Sequence, residues 1–406
     1  MGHRLGNRSH RGGDRRGAPD LSHPPVTGEG AYRLEGIELV RVRLPLAAPW
    51  RTPLGTISER SVVLVRAVVD GAEGWGECVA QPEPTYTSEY EEGAWALLRD
   101  HLVPRLLAAG APALGAVKGH PMAKAALRAA VLDAELRIRG MPLAQALRDA
   151  SKCPGPARER VPAGVAIGVS GDLDQLVEEV GKRVGDGYLR VKLKVHPGWD
   201  TAPVATVRAA NPSLALTVDA NGAYARLGLD AAAAALERLD GFGLMMLEQP
   251  LGDADLVGHA ALGRRLATPI CLDEAVDSDD AAASAVALGA GRIVNIKPGR
   301  VGGLHEAVRI HDRCAQAGWA VWCGGMLETG VGRAANLALA TLGNFSLPGD
   351  LSAADRYWAE DIVDRPAVLE ADGTIAVPDG PGIGVNVSLR PATVVDRTWI
   401  SAPGGA

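Results

Sequence analysis

Lys192 and Lys194 alternate with Val191, Leu193 and Val195 in the stretch Arg190-Val191-Lys192-Leu193-Lys194-Val195. That is the two-residue period of a strand turning its apolar side chains one way and both amines the other. Downstream, three apolar runs end in acids. Leu216-Thr217-Val218 leads into Asp219-Ala220-Asn221, Leu244-Met245-Met246-Leu247 into Glu248-Gln249-Pro250, and Ile270-Cys271-Leu272 into Asp273-Glu274. A fourth run, Ile293-Val294-Asn295-Ile296, ends in Lys297. Carboxylates flanked by amines are the groups needed to remove a proton from carbon. A divalent cation stabilises the anion that is left, and a lysine serves as base. A lysine near other cations, or out of water, has its pKa lowered and is suited to that task. Three hard oxygen ligands with no nearby His or Cys favour Mg2+, with Mn2+ as the substitute. No organic cofactor is expected. One acid alone would read as a helix N-cap, which Asp favours. Three in succession, between lysines of a buried type, do not.

Such groups act together only if the strand ends converge. Strands near 161–169, 189–195, 214–220, 244–249, 270–274, 292–297, 319–323 and 350–353 alternate with Ala-rich helices at 173–184, 201–210, 229–239, 255–266, 279–288, 305–317 and 332–342. Parallel strands require such crossovers. The alternation predicts an α/β fold, a (β/α)7β barrel of the TIM type over 156–372, with catalytic groups at the C-terminal strand ends. An open doubly wound sheet usually has fewer strands and a Gly-rich first turn, which is absent. Residues 33–155 read as an α+β module. Strands at 34–44 and 61–69 flank a loop through 45–58, and Gly74-Trp75-Gly76-Glu77 turns into a third strand. Helices at 88–107 and 121–139 follow, the second closed by Gly140 and Pro142. Residues 373–406 are again strand and turn and return to this module, so both ends of the chain build a capping domain.

The 406 residues are 47% hydrophobic and 22% charged, the balance of a soluble globular protein with a large core. A net charge of -6 gives no nucleic-acid or anionic-membrane signal. No apolar run approaches the ~18–20 residues of a membrane-spanning helix. Cys78, Cys153, Cys271, Cys314 and Cys323 are scattered and form no CxxC pair, which points to the reduced cytoplasm. Residues 1–32 carry Arg4, Arg8, Arg11, Arg15 and Arg16 among Gly, His and Pro with no apolar segment following. That composition predicts a disordered basic tail rather than a secretory signal, with a basic binding arm as the lesser alternative.

The order Lys-x-Lys, Asp-x-Asn, Glu-Gln-Pro, Asp-Glu and a late Lys resembles the enolase superfamily in its muconate lactonizing subgroup, over residues 33 to about 390. Asn295-Ile296-Lys297-Pro298-Gly299-Arg300-Val301-Gly302-Gly303 and Trp322-Cys323-Gly324-Gly325-Met326-Leu327-Glu328-Thr329-Gly330 are similar to the o-succinylbenzoate synthase and N-acylamino acid racemase family. The resemblance implies that Asp219, Glu248 and Asp273 bind one Mg2+. It implies that Lys194 is the general base, and that Lys192 tunes it and holds the substrate carboxylate. Lys297 would stabilise the enediolate from the other face, and in a racemase the two lysines would exchange roles. Asn221 and Glu274 would orient ligands. Arg300 matches the arginine of members that also racemise N-succinylamino acids. The segment 48–55, with Trp50, would close over the barrel mouth, and Ser170, Met326, Glu328 and Tyr357 would lie around it. The implied reaction is dehydration of a succinyl-hydroxycyclohexadiene carboxylate in menaquinone biosynthesis, by a homo-oligomer acting on a small carboxylate.

Other readings differ at particular residues. A dipeptide epimerase resembles this pattern but has an Asp-x-Asp near the last strand, which Leu351-Ser352-Ala353-Ala354-Asp355 lacks. A muconate-type cycloisomerase is compatible with Glu328. A sugar-acid dehydratase would want a His-Asp dyad where Lys297 stands. A non-catalytic barrel used for binding would need a missing ligand or base, and none is missing.

Overall fold

The computed structural model describes residues 32–52, 55–169 and 171–403. The basic stretch therefore lies outside the described residues apart from Tyr32, and so does Ser170. The first module is a four-stranded antiparallel sheet in the order β13-β1-β2-β3, with β1 Leu34–Thr52, β2 Gly55–Val69, β3 Ala72–Cys78 and β13 Val394–Ser401. The C-terminal strand thus returns to the first module and pairs with β1. Alternation along β2 buries both faces. Val63, Val65 and Ala67 join one apolar cluster with the helix Pro121–Ile138, while Val62 and Leu64 join the core that continues into the barrel.

Gly74 and Gly76 explain the Gly-Trp-Gly-Glu turn. A Cβ on Gly76 would stand 2.0 Å from Ala126 O, and one on Gly74 would stand 2.1 Å from Ala134 N. The helix therefore lies directly on the strand backbone, with Ala126, Ala130 and Ala134 at the contact. The alternate residue Glu77 faces the barrel. Its carboxylate accepts from Thr329 N, Thr329 Oγ1 and Gly332 N at 2.7–3.1 Å, which ties the two parts together. Gly76→Ala is expected to lower stability by about 1–3 kcal/mol or more, because the clash is with backbone. Denaturant unfolding checks this, and an unchanged midpoint would contradict the contact.

The barrel is a seven-stranded parallel sheet in chain order. Following β4 Arg160–Pro162, its strands are β5 Gly164–Ile167, β6 Arg190–Lys194, β7 Ala215–Asp219, β8 Leu247–Glu248, β9 Ile270–Leu272, β10 Ile293–Ile296 and β11 Ala320–Cys323. Two expectations need correction. The first expected strand is two: β4 pairs with β12 Thr374–Ala376, and only β5 enters the barrel. The expected eighth strand at 350–353 is extended chain, not a regular strand. It still closes the ring by single bonds. Gly164 N donates to Gly349 O at 2.6 Å and Asp350 N to Cys323 O at 2.9 Å. The side chain of Asp350 is turned inward onto Arg190 and Lys192.

The seven intervening helices are present, Thr201–Ala210 and Asp279–Leu288 with the expected ends and the others shifted by one to three residues, and Asp172, Asp200, Asp255, Ser278 and Thr329 cap five of them. The strand-end acids Asp219, Glu248 and Asp273 are therefore not the caps. The helix expected over 88–107 is broken into Glu91–Leu97, a π turn at Leu98–Leu102 and Val103–Ala109. Pro104 has no N–H for the carbonyl four residues back, and the wider turn, with Val103 N on Leu98 O, carries the chain past it. The loop expected through 45–58 is instead mostly hairpin, since β1 continues to Thr52 and β2 begins at Gly55. Its base is fastened to the end of the barrel by Ala47 N on Tyr357 O at 2.8 Å and a bridge between Leu46 and Trp358. Pro53 and Leu54 lie outside the described residues, as does the Trp50 side chain.

Candidate active site

Register decides which side chains meet. Lys194 is level with Asp219, and Asp219 with Glu248. Glu248 is level with Cys271, so Asp273, two residues on, points the same way. Ile293 is level with Cys271, which puts Asn295 and Lys297 on that face too. The outward residues Val191, Leu193, Leu216 and Val218 pack in the main core. The alternation read from the lysines is thus apolar side chains outward and charge inward.

Lys192 is at the centre. Its Nζ donates to Glu248 Oε2 at 2.9 Å and lies 2.7 Å from Asp350 Oδ2 and 3.3 Å from Asp219 Oδ2. Below it, the Trp322 ring receives Lys192 Nζ and the Arg190 guanidinium at 4.8 and 4.7 Å from its centroid. Lys194 Nζ donates to Asp219 Oδ2 at 2.7 Å and to Asn221 Oδ1 at 2.5 Å. Across the ring, Lys297 Nζ donates to Asp273 Oδ2 at 2.7 Å and to the Tyr86 hydroxyl at 2.8 Å. Arg300 lies 3.1 Å from Asp273 Oδ1 and donates to the carbonyls of Asn295 and Val276. The side chain of Lys194 is 29% exposed, against 4% for Lys192 and 9% for Lys297, so Lys194 is the amine most open to an arriving molecule.

Electrostatics correct one expectation. Burial by itself lowers the pKa of Lys192, but Asp350, Glu248 and Asp219 outweigh it and hold the amine well above its ordinary value. Lys297 is raised in the same way, burial being overcome by Asp273. Carboxylates in contact, rather than neighbouring cations, dominate both amines. Among the acids, burial works against ionisation of Asp219, yet Lys194 and Lys192 hold it below the usual range. Burial and the nearby Asp219 push Glu248 up to about 7. Burial and Asp273 push Glu274 up to about 8.

Asn221 joins Lys194 to Glu274 through its amide, Nδ2 donating to Glu274 Oε1 at 2.8 Å. Gln249 gives the Glu-Gln-Pro motif a purpose. Its Oε1 accepts from Asp273 N and Ala275 N, and its Nε2 donates to Leu251 O, so it sets the turn that presents Asp273. Glu328 is not brought to the lysines. It is buried at the junction with the first module, accepting from Met326 N and Asn336 Nδ2 at 2.8 Å and facing Arg333 at 3.2 Å. Met326 packs in the apolar cluster of the first module. Tyr86, Asn295, Trp322, Arg190 and Asp350 are site residues that the sequence reading missed. Asn295 had a signal, standing two residues before Lys297 on one strand. Asp350 had another, as an acid at the expected last strand. Tyr86 had none, since it arrives from the loop after β3.

Among the described residues, no three His, Cys, Asp or Glu side chains surround a common point at metal-holding distance. The reason is local. Asp219 is turned to Lys194, Glu248 to Lys192 and Asn295, and Asp273 to Lys297 and Arg300. The donors nonetheless suit a hard divalent cation. They are three buried carboxylates from adjacent strand ends, and Glu248 is pushed towards neutrality beside Asp219. A cation taking these carboxylates would release the amines.

Gly324 keeps room for the second lysine. A Cβ there would stand 2.7 Å from Lys297 Cε and 2.3 Å from Asn295 Oδ1. Gly324→Ala is therefore expected to cost about 10- to 100-fold in kcat by displacing Lys297, with a modest fall in melting temperature from the crowding of buried Asn295. Steady-state kinetics beside a melting curve checks this.

Residues 175–391 match the enolase C-terminal domain-like family, and residues 35–147 match the mandelate racemase / muconate lactonizing enzyme N-terminal domain. The chain is 53% identical over 380 residues to the N-succinylamino acid racemase of Amycolatopsis sp, covering 91% of this chain and 100% of that one. It is 46% identical over 368 residues to the o-succinylbenzoate synthase of Geobacillus kaustophilus, covering 89% and 95%. Among solved structures, an unknown member of the enolase superfamily from Enterococcus faecalis V583 aligns with a TM-score of 0.82 at 40% identity, covering 91% of this chain and 99% of that one.

Proposed function

Because the chain belongs to the mandelate racemase / muconate lactonizing enzyme family of the enolase superfamily, we propose that it removes the α-proton of a carboxylate substrate, acting as an o-succinylbenzoate synthase on a succinyl-hydroxycyclohexadiene carboxylate. The observation that carries this reading is the opposition of Lys194 and Lys297. Lys194 ends β6 and Lys297 follows β10, so three strands separate them in a ring of seven strands and one extended segment. They face each other over Asp219, Glu248 and Asp273. A planar anion between them has one amine on each face.

Asp219, Glu248 and Asp273 would hold Mg2+, or Mn2+ in its place. A bound divalent cation beside the substrate carboxylate supplies the charge that stabilises the anion left by deprotonation. Lys194, the more open amine, takes the α-proton. It then returns that proton to the departing hydroxyl, so a C–H and a C–O bond break and water leaves. Lys297, fixed by Tyr86, keeps its ammonium on the opposite face and offsets the negative charge. Lys192, which would keep Asp350 when the cation takes Asp219 and Glu248, stays charged and attracts the substrate carboxylate. The cationic groups gathered at the strand ends, Lys192, Lys194, Lys297 and Arg300, favour a negatively charged substrate, as a succinylated carboxylate is.

The same pair of lysines supports a second activity, racemisation of N-succinylamino acids, in which one amine takes the proton and the other delivers one to the opposite face. A dipeptide epimerase is less well served. Asp350, the acid at the last barrel position, is bound at 2.6 Å to Arg190 and 2.7 Å to Lys192, which leaves it committed when a substrate amine arrives. The direct test of the synthase reading is to supply the cyclohexadiene substrate with Mg2+ and follow o-succinylbenzoate by its absorbance. Turnover that chelation stops is expected. A metal-loaded protein that leaves the diene unchanged refutes the synthase assignment.

A further inference from the structure

Asn295 lies one pleat before Lys297 on the inward face of β10 and is wholly buried. Its Nδ2 donates to Glu248 Oε1 at 2.7 Å. Its Oδ1 is buried and has no hydrogen-bond partner. The orientation of the amide follows from chemistry, since the reverse would set a carbonyl oxygen against the Glu248 carboxylate. A buried acceptor without a donor is costly and calls for an explanation. A candidate donor is the second lysine. A Cβ on Gly324 would stand 2.3 Å from Asn295 Oδ1 and 2.7 Å from Lys297 Cε, so the two border the same point, and glycine leaves that point open. Lys297 now directs its ammonium to Asp273 Oδ2 and Tyr86. Arg300 holds the frame still, donating to Asn295 O at 2.7 Å while lying 3.1 Å from Asp273.

We infer that Asn295 is a positioning residue that works at both ends of its amide. Nδ2 fixes Glu248 Oε1, which would hold that carboxylate in place for a divalent cation shared with Asp219 and Asp273. Oδ1 receives the Lys297 ammonium once Asp273 is drawn to that cation, and steadies the amine on its face of the substrate. The second half rests on the two-lysine reading above.

Two variants test it, the near-isosteric Asn295→Leu and the smaller Asn295→Ala, each first shown to melt cooperatively without metal. Calorimetric titration of Mg2+ into substrate-free protein is expected to show affinity lowered about 10- to 100-fold. In D2O with saturating Mg2+, exchange of the α-proton is then measured separately for the two enantiomers of an N-succinylamino acid. Lys297→Met in the parent identifies the enantiomer that Lys297 serves. Exchange of that enantiomer is expected to fall about 10-fold more than exchange of the other in the Asn295 variants. Mg2+ affinity within roughly twofold of the parent overturns the inference, and so does an equal loss for both enantiomers. If the parent exchanges neither enantiomer, the racemisation reading fails, and the calorimetry alone decides whether Asn295 positions Glu248.

Discussion

Lys194→Ala is expected to lower kcat for dehydration by about 10²- to 10⁴-fold, the range for loss of a positioned general base. The fold should tolerate the change. Lys194 is the partly exposed member of the cluster, and Asp219, which it contacts at 2.7 Å, keeps Lys192 at 3.3 Å. Mg2+ binding should therefore persist. Lys297 remains opposite, so one enantiomer of an N-succinylamino acid should still exchange its α-proton while the other does not. That asymmetry separates loss of a base from general damage to the site. Steady-state kinetics, a melting curve and exchange measured on each enantiomer supply the three readings. A variant that retained full dehydration would remove Lys194 from the mechanism.

Glu248→Gln is expected to weaken Mg2+ binding by at least about 100-fold, the upper end of what outer partners contribute, because Glu248 would supply a ligand oxygen itself. The substitution keeps the volume of a wholly buried side chain and removes its charge. Lys192 retains Asp350 and Asp219 as partners, so no buried cation is stranded. The metal-free variant should melt close to the parent, or above it, since burial and Asp219 already push Glu248 up to about 7. Adding Mg2+ should raise the melting temperature of the parent, as any ligand of the native state does, and leave the variant unmoved. An equal rise in both would show that the cation sits elsewhere.

The sequence revealed much of the site because a short strand obeys a strict rule. In Arg190–Lys194 the period of two separates amines from apolar residues, and three later strands repeat the device with acids at their ends. Local rules fail where the contact is made by distant chain. Tyr86 reaches Lys297 from a loop 211 positions away, and no local pattern marks it. Glu328 shows how a local turn redirects an acid. It follows a barrel strand as the other acids do, but Leu327 at φ 60° turns the chain, and Glu328 caps backbone and Asn336 instead. The segment after Pro45 reads as a loop by composition, yet pairing with β2 makes most of it strand. The pKa direction of Lys192 and Lys297 is hidden for a related reason. Strand spacing shows that amines and acids share a face, but not that Lys192 lies within 3.3 Å of three carboxylates.

The claim on which the rest depends is removal of a proton from carbon by two opposed lysines. It is tested most directly by incubating the parent protein with Mg2+ in D2O and following the α-proton of each enantiomer of an N-succinylamino acid by NMR. Loss of the α-proton signal from both enantiomers, stopped by chelation, is the expected result. Absence of exchange from both, in protein that binds Mg2+ and also leaves the cyclohexadiene substrate unchanged, would contradict the account.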